Sequence, residues 1–126
     1  FEVWGNGEQI RNWTYVDDIV SGTIAVAEKI HDGTSINLGT MERIKVKECA
    51  KQVIDSLNPG ATIKLLTNKP TGPLNRVASN ALAKELLGWS PQTRFSDGLK
   101  KTIDWYVATK SKDQANADLK TKLVGR

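Results

Sequence analysis

The sequence predicts a small mixed α/β domain. Three observations carry that expectation. Short runs rich in β-branched and aromatic residues are bounded by glycine, asparagine and proline. Longer segments repeat their apolar residues at helical spacing. The two kinds of segment alternate along the chain, which at 126 residues is one domain by size and long enough to bury a core.

The elements follow in order. The opening FEVW reads as a strand, and Ile10-Arg11-Asn12-Trp13-Thr14-Tyr15-Val16 reads as a second. Gly5-Asn6-Gly7 between them holds residues that tolerate positive φ, so an N-terminal β-hairpin is expected. The same glycines raise a second reading, the phosphate loop of a dinucleotide-binding fold. That loop needs a strand, then G-x-G-x-x-G, then a helix, whereas Ile10 holds the third glycine position and a strand follows. Asp17-Asp18 are expected to cap a helix to about Ile30, with Val16, Val20, Thr23, Ala27 and Ile30 at helical spacing and Gly33 as the stop. Ser35-Ile36-Asn37-Leu38-Gly39 reads as a short strand. The clearest helix carries Val46, Cys49, Ala50, Val53, Ile54 and Leu57 on one stripe and ends at Asn58-Pro59-Gly60. Residues 62–67 alternate like a strand, and residues 68–74, with two prolines and a glycine, form a loop. A third helix is expected from about Asn80, capped by Ser79 and stopped by Gly88, and a fourth from near Ser96 with Leu99, Ile103, Trp105 and Tyr106. The expectation is thus an N-terminal β-hairpin, short strands and about four helices.

Composition narrows the function. The chain is 39% hydrophobic and 25% charged, and its apolar runs are too short to span a membrane. A net charge of +4 suggests nucleic acid, but the segment from Ala108 to Arg126 carries five basic and two acidic residues. It therefore accounts for +3, and no basic stripe remains in the body, so no nucleic-acid partner is expected. Residues 1–110 are assigned to the domain and 111–126 to a charged tail. Cys49, the single cysteine, sits on an apolar helix face as a buried small hydrophobe, and its solitude with no leader segment points to the cytoplasm.

Several patterns resemble chemistry without supporting it. Tyr106 and Lys110 have the Tyr-x-x-x-Lys spacing of a dehydrogenase acid/base pair, which also places two residues on one face of any amphipathic helix. Asp17 and Asp18 point about 100° apart on a helix and suit its N-terminus electrostatically. His31 stands without the Cys or Asp/Glu companions a metal site needs. More weight falls on Arg11, which follows Gln9 between Trp4 and Trp13, and on Arg76, just ahead of a helix. Guanidinium groups hold phosphate oxygens through paired bonds, so two that converge would clamp a diphosphate. Taken singly, each also reads as an ordinary surface arginine.

The string WGNGEQIRNWTYVDD, residues 4–18, resembles the start of the C-terminal part of nucleotide-sugar epimerases and dehydratases, the extended short-chain dehydrogenase/reductases. Ile36-Asn37-Leu38-Gly39-Thr40, Arg76 with its helix, Leu86-Leu87-Gly88-Trp89-Ser90-Pro91, and Gly98-Leu99 to Trp105-Tyr106 follow in the family's order, over residues 1 to about 107. Within the family, the resemblance points to GDP-mannose epimerases and UDP-glucuronate decarboxylases. The resemblance implies that Gln9 and Arg11 contact a nucleotide-sugar, Arg11 at the diphosphate, and that Arg76 is the second diphosphate contact. Relatives often carry aspartate where Ser79 stands, so that position's role does not transfer. NAD(P) and the acid/base pair belong to a preceding Rossmann half, and these residues contain no cofactor site. The expectation is therefore a substrate-binding portion, truncated from a longer enzyme and inactive alone, with weak affinity for a nucleotide-diphosphate sugar, a Rossmann partner half, and a tendency to form a homodimer. The alternative is a free-standing, non-catalytic binding or assembly module that kept the fold.

Overall fold

In the computed structural model, which describes residues 1–123, strands and helices alternate in a mixed α/β arrangement. The order is β1 (Glu2–Trp4), β2 (Ile10–Arg11), α1 (Val16–Lys29), β3 (Ile44–Lys45), α2 (Val46–Leu57), β4 (Lys64–Leu66), β5 (Asn75–Arg76), α3 (Ala81–Leu87), α4 (Phe95–Thr109) and α5 (Lys112–Leu123). The strands form two small sheets. In one, β1 and β4 run parallel, with Val3 opposite Leu65. In the other, β2 is central, antiparallel to β3 and parallel to β5.

The expected hairpin is not there. Gly5 and Gly7 do take positive φ, +76° and +72°, but the strands on either side diverge into different sheets. The turn serves a helix end instead. Gly7 and Gln9 accept from the N–H groups of Lys47 and Val46 at 3.0 and 2.9 Å. These are among the donors that the first turn of α2 leaves without partners of its own. Gly7 must lack a side chain, because a Cβ there would lie 2.8 Å from that of Lys47. Glu48 reaches back to the Lys45 N–H at 3.1 Å and completes the start of α2.

Two further expectations change. Residues 35–39 join no ladder among the described residues, so the expected strand is absent. Ile36 and Leu38 nonetheless pack on the core formed by Ala83, Leu87 and Trp89. On α1 the inward face is not the Val16–Val20 stripe, which is exposed at 60% and 50%, but that of Asp18 and Gly22. At Gly22 a Cβ would come within 2.9 Å of Leu38 and Trp89, so only glycine permits this approach. Lys29 fixes the far end of α1 by donating to the Leu87 carbonyl at 2.8 Å.

Asp17 and Asp18 do not cap α1. Its N-cap is Tyr15, with no side-chain bond. Asp18 is buried, and its two carboxylate oxygens accept from the backbone N–H groups of Gln92 and Thr93, each at 3.0 Å. It ties α1 to the loop before α4. Glu42 takes the Phe95 N–H at the start of α4 in the same way, at 2.8 Å. The stop of α3 holds, at Gly88 in the left-handed region, but its N-cap is Asn80 rather than the expected Ser79, whose hydroxyl accepts from the Ala81 N–H at 3.3 Å. α1 ends at Lys29 with Ile30 as its C-cap, short of the expected stop at Gly33. Among the described residues no helix is long and apolar enough to cross a membrane.

Candidate ligand site

β2 places Arg11 between a turn and a loop. Its N–H and C=O groups are spent on two neighbours, so the strand is held although only two residues long. The parallel pairing with β5 sets Ile10 opposite Asn75 and Arg11 opposite Arg76. Neighbouring strands stand roughly 4.8 Å apart. Like charges set side by side in this way repel, and an anion between them removes the conflict. Arg11, Asn12, Trp13 and Arg76 line an open cavity of about 400 Å³.

Arg11 is oriented by the main chain. Its Nη1 donates to the carbonyls of Ile10 at 2.7 Å and Pro73 at 2.9 Å. Ile10 N–H also donates to Leu74 at 2.8 Å, which binds the end of the loop after β4 to β2. Arg76 is exposed. Gln9 is not in the cavity wall. It is buried beneath the Gly5 turn, its Nε2 3.5 Å from the Trp4 carbonyl and its Oε1 buried without a partner among the described residues. The structure thus brings Arg11 and Arg76 together and leaves Gln9 buried at the Gly5 turn, outside that cavity wall.

Asn12 and Trp13 are cavity residues that the sequence did not single out. Their proximity to Arg11 was the available signal, and strand alternation hid it, because the strand ends at Arg11 and the side chains cease to alternate. Trp13 also borders a second cavity of about 770 Å³, walled mainly by Trp13, Tyr15, Phe95, Leu99 and Trp105. Cys49 is half-buried in that wall, where burial pushes its thiol pKa up and keeps it protonated.

Glu8, beside the turn, is paired with Lys45 at 2.8 Å and with Lys47. Those two ammonium groups lower its pKa to about 2, so it is a fixed anion rather than a proton carrier. Among the described residues no group of His, Cys, Asp and Glu gathers as a metal site. Nor does the glycine turn fit a dinucleotide. The turn leads into β2 rather than into a helix, so no helix N-terminus follows it to face a pyrophosphate, and its Gly7 carbonyl is taken by the start of α2.

Residues 2–102 match the family model described as GDP-mannose 4,6 dehydratase. The chain is 32% identical over 115 residues to GDP-mannose 3,5-epimerase of Arabidopsis thaliana, covering 91% of this chain and 30% of that protein. It is 37% identical over 93 residues to UDP-glucuronic acid decarboxylase 3 of the same plant, covering 74% of this chain and 27% of the other. Among solved structures, UDP-glucuronic acid 4-epimerase from Bacillus cereus, in complex with UDP-glucuronic acid and NAD, superposes with a TM-score of 0.76 at 30% identity. The match covers 86% of this chain and 35% of that one. The chain therefore spans about a third or less of the length of these relatives.

Proposed function

The chain belongs to the GDP-mannose 4,6 dehydratase family, and on that premise we propose that it is the nucleotide-sugar-binding portion of a longer NAD-dependent epimerase or dehydratase. The observation that carries this is the in-register pair Arg11 and Arg76 at one cavity. Two guanidinium groups on adjacent strands suit a diphosphate, which offers oxygens to both at once. Trp13 beside them supplies an aromatic surface for the rest of the ligand.

In this reading the portion binds and orients the nucleotide-sugar and takes no chemical step alone. The nicotinamide cofactor would be held by the remainder of the longer enzyme, where it serves as hydride acceptor and donor. The surface supports such a partner. Val16, Val20 and Ile24 lie four residues apart on α1 and are exposed at 60%, 50% and 54%, and Trp105 on α4 is exposed at 59%. In the longer protein this face is covered, and in the isolated chain it pairs with a second copy.

Ligand-observed NMR with UDP- and GDP-sugars tests the proposal on wild type, Arg11→Ala and Arg76→Ala. Each variant should bind roughly tenfold or more weakly, the loss of charge-assisted bonds to the diphosphate. Unchanged binding in both variants would place the ligand elsewhere.

A further inference from the structure

We propose that Gly72 and Pro73 are positioning residues for Arg11, holding one edge of its guanidinium and keeping the other edge open. The proposal deepens the reading of Arg11 as an anion contact and rests on it. A guanidinium has five N–H donors in a planar fork. Two of them, on Nη1, are directed at the carbonyls of Ile10 and Pro73, 2.7 and 2.9 Å away. Among the described residues, Nε and Nη2 have no hydrogen-bond partner. Nε and Nη2 together form the side edge that can grip two oxygens of one phosphate.

Gly72 guards that edge by having no side chain. A Cβ there would stand 3.1 Å from Arg11 Nη2, closer than side chains ordinarily pack. Nothing else lies within 4 Å of that position, and no unusual backbone angle demands glycine there. Beyond its chain neighbours, Arg11 Nη2 is the one group that a side chain at residue 72 would press upon. Pro73 matters through its carbonyl, which any residue supplies. The loop that contributes both residues leads directly into β5 and Arg76, so one segment sets the fork of the first arginine and delivers the second.

The test uses the full chain with inorganic pyrophosphate as probe. In the ligand-free wild type, side-chain nitrogen NMR should show distinct, slowly averaging Nη1 and Nη2 signals for Arg11. Signals averaged as in a free arginine would overturn the proposal. With pyrophosphate, the Arg11 Nε resonance should shift, and no shift at millimolar concentration would also overturn it. Gly72→Ala should keep the thermal midpoint of wild type and bind pyrophosphate roughly tenfold more weakly, the equivalent of one lost charge-assisted bond. Pro73→Ala keeps the carbonyl and should bind as wild type does; a loss equal to that of Gly72→Ala would refute the role assigned to that carbonyl. If Arg11→Ala weakens binding while Gly72→Ala leaves it unchanged, the positioning role is wrong and the anion contact stands. If Arg11→Ala itself changes nothing, the anion contact fails, and this proposal with it.

Discussion

Replacing Asp18 by alanine removes the acceptor for two backbone N–H groups at once. The carboxylate is 6% exposed and binds Gln92 and Thr93 at 3.0 Å each. A hydrogen bond to a charged acceptor is worth about 1.5–3 kcal/mol, so two give roughly 3–6. Gln92 is exposed, so water can reach its amide after the truncation, which favours the lower end, about 3 kcal/mol. Against a typical total of about 5–15 kcal/mol this is a large share. With a urea slope of about 2 kcal/mol/M, the unfolding midpoint should fall by about 1.5 M. Asp17→Ala is the control: same charge, same helical turn, exposed, and without the two amides. It should cost less than about 0.5 kcal/mol. Tryptophan fluorescence is a suitable probe, because Trp89 donates to Ser21 on the same helix as Asp18. Equal effects at the two aspartates would refute the reasoning, since they would mean that charge at the helix end, shared by both, is what stabilises.

Other outcomes follow from the same geometry. Glu8 has its folded-state pKa lowered from 4.5 to about 2 by hydrogen bonds with Lys45 and Lys47. Its contribution is therefore full above pH 4.5 and disappears as pH falls towards 2, and Glu8→Gln should flatten the acid dependence of urea midpoints in that window. The apolar stripe on α1 should make the isolated chain self-associate. Light scattering should show a mass above 13.9 kDa that falls on dilution, and a constant 13.9 kDa would remove the argument. Calorimetric titration of this chain with NAD⁺ should give no stoichiometric site, because the Gly5-Asn6-Gly7 turn lacks the third glycine and leads into β2 rather than a helix; micromolar binding would contradict that.

What could be read from the sequence was what is local. α2 announces itself by a continuous apolar stripe and an Asn-Pro-Gly stop, and the end of α3 by Gly88, because each signal lies within a few residues of its effect. The opening strand and the alternation over residues 62–67 were legible and match β1 and β4, but β3 and β5 are two residues long with β2 far along the chain as their partner, so nothing there had the length to register. That is why a Gly-Asn-Gly turn suggested a hairpin when it caps α2, with β2, α1 and β3 in between. Asp18 misled for a related reason. Its place in the first turn of α1 suits a local electrostatic role, while its partners at Gln92 and Thr93 are visible only in the fold. Arg11 and Arg76 could each be chosen from the sequence, but their register could not, because it depends on β2 pairing with β5. The loop at residues 68–74 was legible as a loop, but its contact with Arg11 was not.

Arg11 and the Pro73 carbonyl that holds it are 62 residues apart in the chain. Closing a loop of that length costs about 4 kcal/mol in chain entropy before any contact repays it. The helices need no such closure. In folding, therefore, helical structure can form early, and the parallel pairings of β1 with β4 and β2 with β5 come late, as non-local contacts do. The two arginines meet only when that last step is complete, and they separate first when the chain opens. A diphosphate held between them would then act as a clasp on the slowest-forming contacts. It would retard unfolding and raise the midpoint with the logarithm of its concentration above Kd, while helix content measured by circular dichroism would barely register its presence.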